Sequence, residues 1–331
     1  MAEKAKQHFV PKLLLKRFSW DATHINICNI RKSIKTQSVP YDPQCQKRYF
    51  YGADLHIENT FEKMENDADL ELNKLINTSV IPNAKPNANQ LDNSDVRELL
   101  LTFIYIQYSR TQKIKNIVNK EVNRLIKEDA RNNKDVIFNS IKSNEKLGDY
   151  KLSDAEINNF IDDVEIELNE PFHHILRSAR DEYNKNKHLK IVVLFNSTTV
   201  PFITSDNPAF CFTSFFPERT PSFFLPISPA HCLFCFDEHY FKARSIRNIV
   251  FISDQSEVRY INRLQCDNCD KNIYLPRLPI NSSIQDFVDH NIKDLSFIDN
   301  IDAISLSERF ENNRSIPLNG GHSSKADTFN A

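Results

Sequence analysis

Glycine is scarce in this 331-residue chain, which contains only four. Phosphate-binding loops of the Walker and dinucleotide-binding types need several glycines at close spacing, and neither pattern occurs. The nucleophile elbow of α/β-hydrolases and the paired histidines of zinc peptidases are also missing. The common signatures of nucleotide-binding proteins, serine hydrolases and zinc peptidases are therefore excluded.

Long hydrophobic runs are lacking as well. The apolar stretch near the N-terminus is broken by Lys12 and Lys16, which is unlike a secretory signal. The longest uncharged run, 220–236, contains three prolines and is shorter than the ~20 residues that span a bilayer. We expect a cytoplasmic protein with no membrane partner, whose seven cysteines are reduced thiols rather than disulfides.

The charge is nearly balanced, with 42 Lys and Arg against 44 Asp and Glu and a formal net charge of -2. This balance argues against a protein that coats nucleic acid, although it allows local basic patches. Hydrophobic residues make up 40% of the chain and include 24 phenylalanines, which is enough for a substantial core. The composition therefore predicts a globular protein.

The N-terminal segment predicts a short helix. Val10 precedes a proline and so favours an extended backbone, while Pro11 suits the first position of a helix. Leu14, Leu15 and Phe18 then fall on one helix face, which we expect to be buried.

Periodicity predicts the elements that follow. Two β-rich runs, 24–30 and 33–39, flank a basic turn and indicate a hairpin, after which 40–54 has the composition of a loop. Apolar residues at helical spacing predict a helix over 55–77 and one long helix over about 94–131, capped at Ser94-Asp95.

From residue 189 the apolar period changes to that of β-strands. We predict an α+β fold in which a mostly helical middle, about 55–188, packs on a small, mainly antiparallel sheet within about 189–275. The N-terminal hairpin can join that sheet. Residues 1–311 are expected to form a single domain, and 312–331 a flexible C-terminal tail.

Several motifs carry a family resemblance. The run Gln7-His8-Phe9-Val10-Pro11 with its spaced Leu and Phe is followed by Ile57-Glu58 to Met64-Glu65, by Gln107-Tyr108-Ser109-Arg110, and by Phe202-Ile203-Thr204-Ser205-Asp206-Asn207-Pro208. On these motifs the chain resembles the bacterial family called domain of unknown function 4238, over roughly residues 6 to 275. The resemblance implies a bacterial or phage-related intracellular protein with a shared fold, and it implies no established activity.

His8 is the leading candidate for acid/base chemistry, with Gln7 beside it. An unperturbed imidazole titrates near pH ~6.5, so both protonation states are accessible near neutrality. The pair also precedes a helix N-terminus, which attracts anions. Alternatively, Gln7 and His8 satisfy backbone groups and fix the entry of the chain into the helix.

Asp206 and Arg110 complete the predicted catalytic set. Asp206 follows a strand that runs into a turn, where chemistry often resides, but it can equally cap that turn through its side chain. Arg110 can clamp a phosphate or pair with an acidic residue of the preceding helix, and ion pairing is the commoner outcome. Three neighbouring polar residues are predicted to bind substrate: Ser205, Asn207 and Gln107.

Two sequence patterns bear on metal binding. Glu58 and Glu65 share a helix face and can supply oxygen ligands for Mg²⁺ or Mn²⁺ if a carboxylate such as Asp206 approaches, although such a stripe is usually a solvated face. Two CxxC pairs have the cysteine spacing of zinc sites, but their context argues against zinc. Cys232 and Cys235 lie in a predicted strand and point to opposite faces, and the pair at 266 and 269 forms half a site, so zinc is not expected.

A basic stripe continues along the long predicted helix. Its members are Lys113, Lys120, Arg124, Lys127 and Arg131. Such a stripe can follow the phosphate backbone of a nucleic acid, but acidic residues interrupt it and charged helix faces are ordinarily solvated.

Three functional hypotheses follow. In the first, the chain is an intracellular phosphodiester-cleaving, RNase-like toxin or antiviral defence effector, a possible nuclease or hydrolase, with His8 as acid/base and Arg110 as phosphate clamp. In the second, it is a non-catalytic sensor that binds a small molecule or partner through the same residues. In the third, these polar residues form a buried structural network.

Overall fold

The computed structural model describes residues 5–78, 88–136, 139, 153–166, 168, 170–213, 221–239, 241–243, 245–278, 283–293 and 310–312. The helices within this part are α1 Lys12–Phe18, α2 His56–Thr78, α3 Ser94–Ser109, α4 Gln112–Asn132, α5 Asp154–Asp163, α6 Pro171–Lys185, α7 Gln255–Asn268 and α8 Ile284–Val288. A 3₁₀ turn at Asn89–Asp92 precedes α3, and a π-helical turn at Asp289–Lys293 follows α8.

The strands are β1 Lys6–His8, β2 His24–Asn29, β3 Ile34–Pro40, β4 Gln46–Arg48, β5 Lys190–Asn196, β6 Thr204–Ser205, β7 Phe210–Thr213, β8 Pro221–Ser228, β9 His231–Phe236, β10 Phe241–Ala243, β11 Ile249–Ile252, β12 Asn272–Leu275 and β13 Phe310–Asn312. A five-stranded sheet has the order β11-β5-β9-β8-β7, with β11 and β5 parallel and the other neighbours antiparallel. A four-stranded antiparallel sheet has the order β3-β2-β12-β6. The predicted α+β class is confirmed.

The five-stranded sheet is buried on both faces because its side chains alternate between two cores. Ile191 and Val193 of β5 pack into the core formed with α1, α2, α3 and α6. Val192 and Leu194 pack into the second core, which contains residues of α7, α8 and β12. This arrangement explains why β5 is continuously apolar, as a strand covered on both sides should be.

The N-terminal prediction is largely confirmed. Leu14, Leu15 and Phe18 of α1 are fully buried, and the predicted hairpin forms as β2 and β3. The hairpin joins β12 from near the C-terminal end of the described chain. Pro11 is the N-cap of α1 rather than its first helical residue, since its ψ of 143° is extended.

Other boundaries differ from prediction. The single long helix expected over 94–131 is wrong, because the chain leaves helical geometry at Arg110 and Thr111 and begins α4 there. The cap of α3 is Asn93, whose side chain accepts from two backbone amides, rather than Ser94-Asp95. The expected loop 40–54 contains β4, which pairs with β1. The C-terminal tail, 312–331, lies outside the described residues except for its first residue.

In the described part of the chain, no helix combines the length and the apolar character needed to cross a membrane.

Candidate functional site

Gln7 lies in β1 and is completely buried. Its side-chain Nε2 donates to the Gly52 carbonyl at 2.9 Å, and its Oε1 accepts from the Tyr51 amide at 2.6 Å. The Gln7 side chain therefore satisfies two backbone groups of the loop that precedes α2, as a neighbouring strand would. Both ends of the amide are occupied, so Gln7 has a structural role in this conformation.

Arg110 ends α3 and is 1% exposed. Its Nη1 lies 2.5 Å from Glu65 Oε1, and its Nη2 and Nε donate to the carbonyls of His8 and Phe9 at 3.0 and 3.4 Å. The guanidinium carbon also lies 4.7 Å from the centre of the Phe61 ring. Burial alone would lower the pKa of Arg110, but Tyr51 and Glu65 outweigh it and the net direction is upward.

The arginine fork thus ties β1 to α2 and α3 through three hydrogen bonds. Of the two outcomes weighed for Arg110, ion pairing with Glu65 is the one observed. A phosphate at this guanidinium would have to displace contacts that are already buried. Glu58, which lies about two helical turns before Glu65 on α2, interacts electrostatically with the same arginine.

His8 is only partly buried, unlike its neighbour Gln7. Its Nε2 lies 2.8 Å from the Asp42 carbonyl, and because a carbonyl can only accept, Nε2 carries the proton. Burial lowers the pKa of His8, and repulsion from Lys12 acts in the same direction. Lys12 itself pairs with the Asp42 carboxylate at 2.6 Å. The neutral imidazole is therefore favoured, with Nδ1 as the proton acceptor.

Asp206 is 5% exposed, and its carboxylate accepts from three consecutive backbone amides. Oδ1 lies 2.8 Å from the Asp270 amide, and Oδ2 lies 2.8 and 2.9 Å from the amides of Lys271 and Asn272. Burial raises the pKa of Asp206, while the three amides act in the opposite direction. The carboxylate closes the turn between α7 and β12, in the way that a nest of amides binds an anion.

Ser205 and Asn207 are buried on either side of this carboxylate. Gln265 of α7 donates to the Ser205 hydroxyl at 2.5 Å and to the Asn207 carbonyl at 2.9 Å. The Asn207 side chain accepts from Thr111 at 2.7 Å and donates to the Asn268 carbonyl at 2.9 Å. These two residues, which the sequence predicts to bind substrate, connect α4, α7 and β12.

Gln107 is completely buried one turn before Arg110. Within the described residues, neither its Oε1 nor its Nε2 has a hydrogen-bond partner. Among the three residues predicted to bind substrate, Gln107 is the one whose side chain makes no hydrogen bond within the described residues.

The structure therefore divides the predicted site into two networks. One contains Gln7, Arg110 and Glu65, and the other contains Asp206 with its two neighbours; Arg110 and Thr111, adjacent in sequence, link them. No described hydrogen bond or ion pair joins His8 to Asp206. Among the residues that the structure describes, no group of three or more His, Cys, Asp or Glu side chains could hold a metal ion.

The predicted basic stripe of α4 is largely engaged within the protein. Arg124 pairs with Glu121 and Glu128 of its own helix. Lys127 donates to the Asp162 carbonyl at 2.6 Å, and Arg131 pairs with the Asp162 carboxylate. The C-terminal half of the stripe thus holds α5 in place.

Sequence reasoning missed a different cationic surface, which we call the basic face. It comprises Arg31, Lys47, Lys113, Lys115 and Lys271. The pKa of Lys47 is lowered first by partial burial and then by repulsion from Lys271 and Lys115. Burial also lowers the pKa of Lys113, and Arg31 adds to that effect. Of these five residues, Lys113 alone belongs to the basic stripe that the sequence predicted.

Four chain segments build the basic face. Arg31 lies in the turn after β2, Lys47 in β4, and Lys271 just before β12, while α4 contributes the other two lysines from its first turn. That first turn contains no acidic residue. The side chain of Lys47 donates to Gln112 at 2.6 Å, which places β4 beside the helix N-terminus.

Residues 6–276 match the model of a family described as protein of unknown function, DUF4238. The chain belongs to this family. The resemblance expected from the N-terminal and Ser205-Asp206-Asn207 motifs is thereby confirmed. No curated protein and no solved structure matches the chain.

The seven cysteines of this DUF4238 protein are free thiols. Cys232 belongs to one core and Cys235 to the other, so the two side chains of this CxxC pair point to opposite faces of the sheet. Burial raises the pKa of both well above the ordinary thiol range. These thiols are therefore protonated core residues.

Proposed function

We propose that this protein binds a phosphate-bearing polyanion, of the nucleic-acid backbone type, on its basic face. The observation that carries this proposal is the convergence of Arg31, Lys47, Lys113, Lys115 and Lys271 from separate segments. Like charges held this close repel one another, and an anion relieves that repulsion.

The local charge balance supports the proposal. Asp206 and Asp270 are the carboxylates that act on Lys113, and Asp270 also acts on Lys47, whereas the whole chain carries -2. Asp206 is enclosed by three amides, and Asp270 pairs with Arg31 at 2.8 Å. The basic face therefore concentrates positive charge on a protein that is slightly negative overall, which favours binding of an anion there.

The end of α4 adds to this field. Thr111 caps the helix and is held by Asn207, so the positive end of the helix dipole is fixed beside the lysines. Lys113 donates to the Asn268 carbonyl at 2.8 Å, which positions its ammonium group at the same edge. The buried Asp206 network thus acts as the scaffold of the basic face.

Fluorescence anisotropy with labelled single-stranded RNA, single-stranded DNA and duplex DNA tests the proposal. We expect Lys47→Gln/Lys271→Gln to weaken binding at least about tenfold. The matched control, Arg180→Gln/Lys185→Gln, removes the same charge from exposed positions of α6 and should bind like the wild type. Equal binding by both double variants would remove the proposal.

A second candidate is phosphodiester cleavage, with His8 as general base. The observation that favours it is the orientation of the imidazole by the Asp42 carbonyl, together with the lowered pKa of His8. The Gln7 position of β1 pairs directly with Lys47 in β4, so His8 is one residue from the edge of the basic face. The toxin or antiviral role expected from the sequence depends on this candidate, because it requires cleavage of a nucleic acid.

A further inference from the structure

A separate cavity of about 150 Å³ lies at one end of the five-stranded sheet. β5 and β11 run parallel and begin at this end, and the antiparallel β9 ends there. The 3₁₀ turn at Asn89–Asp92 and the first turn of α3 close the cavity from the helical side. None of its lining residues belongs to the basic face or to the two buried networks.

The cavity is lined mainly by charged and polar side chains, and most of these already have partners. Lys190 pairs with Glu238 at 2.7 Å, and His188 lies 3.1 Å from the Asp237 carboxylate. These contacts form one wall at the start of β5 and the end of β9. Asp92 and Arg97 are the remaining charged residues that line the cavity.

Asp92 and Arg97 carry opposite charges and line the same cavity, yet they form no ion pair with each other. Arg97 is half-buried, and in the described part of the chain its guanidinium has no hydrogen-bond or ion-pair partner. Asp92 uses Oδ1 to accept from Asn248 at 2.8 Å, and within the same ranges no partner is seen for its second oxygen. A cation and an anion are thus both held at the cavity without neutralising each other.

The backbone fixes the position of Asp92 in advance. Arg247 and Asn248 both have left-handed backbone geometry, with φ of 53° and 61°, in the turn that leads into β11. The Arg247 carbonyl accepts from the Ala88 amide at 3.1 Å, and the Asn248 side chain donates to Asp92. Non-glycine residues with positive φ persist only where their surroundings hold them, often at ligand sites.

We propose that this cavity binds a small zwitterion of the free α-amino acid class. The ligand carboxylate would pair with the Arg97 guanidinium, and its ammonium group with the second oxygen of Asp92. A ligand carrying both charges satisfies both residues at once, which a simple anion or cation cannot do. The cavity is about half the ~300 Å³ lower bound of drug-sized pockets, so the side chain of the ligand must be small.

Isothermal titration calorimetry tests this assignment on the full chain. Glycine, L-alanine and L-serine are titrated separately at millimolar concentration, with acetate and methylammonium as ligands that carry one charge only. We expect saturable binding of at least one zwitterion, and at least about tenfold weaker binding of both single-charge ligands. Lack of binding by all three amino acids, or acetate binding as tightly as L-alanine, would overturn the proposal.

Charge-matched variants locate the site. Arg97→Gln and Asp92→Asn should each weaken amino-acid binding at least about tenfold, since each removes one charged contact. Arg180→Gln and Asp181→Asn, which remove the same charges from the exposed face of α6, should bind like the wild type. Thermal unfolding without ligand verifies that each variant is folded. Unchanged binding by folded Arg97→Gln would contradict the assignment.

Discussion

The carboxylate of Asp206 accepts a 2.8 Å hydrogen bond from the backbone amide of Asp270, 64 positions later in the chain. With the amides of Lys271 and Asn272, it closes the turn between α7 and β12. The turn carries Lys271 of the basic face and Asp270, which pairs with Arg31 of the same face. A buried acid therefore determines where surface charges lie.

Asp206→Asn is expected to destabilise the fold by about 2–4 kcal/mol, because an amide offers one acceptor oxygen to three buried N–H groups. Chemical denaturation measures the loss. Asp267→Asn is the control, since Asp267 forms an exposed pair with Arg263 and should cost no more than about 0.5 kcal/mol. If the two substitutions cost the same, the amide nest is not a structural element.

The pair formed by Arg110 and Glu65 should be strongly coupled, because the arginine is buried and holds β1 as well. Breaking such a pair typically costs about 3–5 kcal/mol. A double-mutant cycle of Arg110→Gln and Glu65→Gln should give a coupling above about 1 kcal/mol. The exposed pair of Arg124 and Glu121 provides the comparison and should show a much smaller coupling, because solvent screens it. Equal couplings would contradict the proposed role of Arg110.

His231 supplies a pH-dependent prediction. It is buried as the first residue of β9, and burial lowers its pKa to about 4 from 6.5. Between these values the unfolded chain takes up a proton that the folded chain does not, so stability falls as the pH falls. The expected loss is about 3 kcal/mol, at ~1.4 kcal/mol per pH unit.

Denaturant titrations of wild type and His231→Gln measure this effect. The difference in their free energies of unfolding should shift by about 3 kcal/mol between roughly pH 7 and pH 4, with the wild type losing stability relative to the variant. A difference that stays constant across this range would show that His231 does not titrate as a buried neutral imidazole.

Much of the fold could be predicted because its causes are local. The apolar period of α1 and the residues of the hairpin formed by β2 and β3 both depend on neighbouring residues. The break between α3 and α4 could not be predicted, since Arg110 and Thr111 leave the helix to reach β1 and Asn207. Likewise β4 pairs only because β1 lies beside it.

The candidate site was harder to predict for the same reason. The sequence identified Gln7, Arg110 and Asp206 as unusual polar residues, but most of their partners are backbone groups between 44 and 102 positions away. The basic face was missed because its cations come from four segments, and no local window contains more than two of them.

The second candidate function makes a prediction about His8. We expect wild-type protein to hydrolyse RNA or DNA, assayed with and without Mg²⁺, and His8→Gln to lower the rate at least about 100-fold while retaining nucleic-acid binding. His24→Gln is the control, because His24 is a surface imidazole paired with Asp21. No cleavage by the wild type, or equal cleavage by His8→Gln, would eliminate catalysis and leave the binding proposal intact.

The salt dependence of polyanion binding tests the role of the basic face most directly. The logarithm of the association constant for a DNA duplex should fall linearly with the logarithm of salt concentration, since bound cations release counterions. In the variant Lys47→Gln/Lys271→Gln, the magnitude of this slope should be smaller by about 2. An unchanged slope, or wild-type binding that does not depend on salt, would contradict the account.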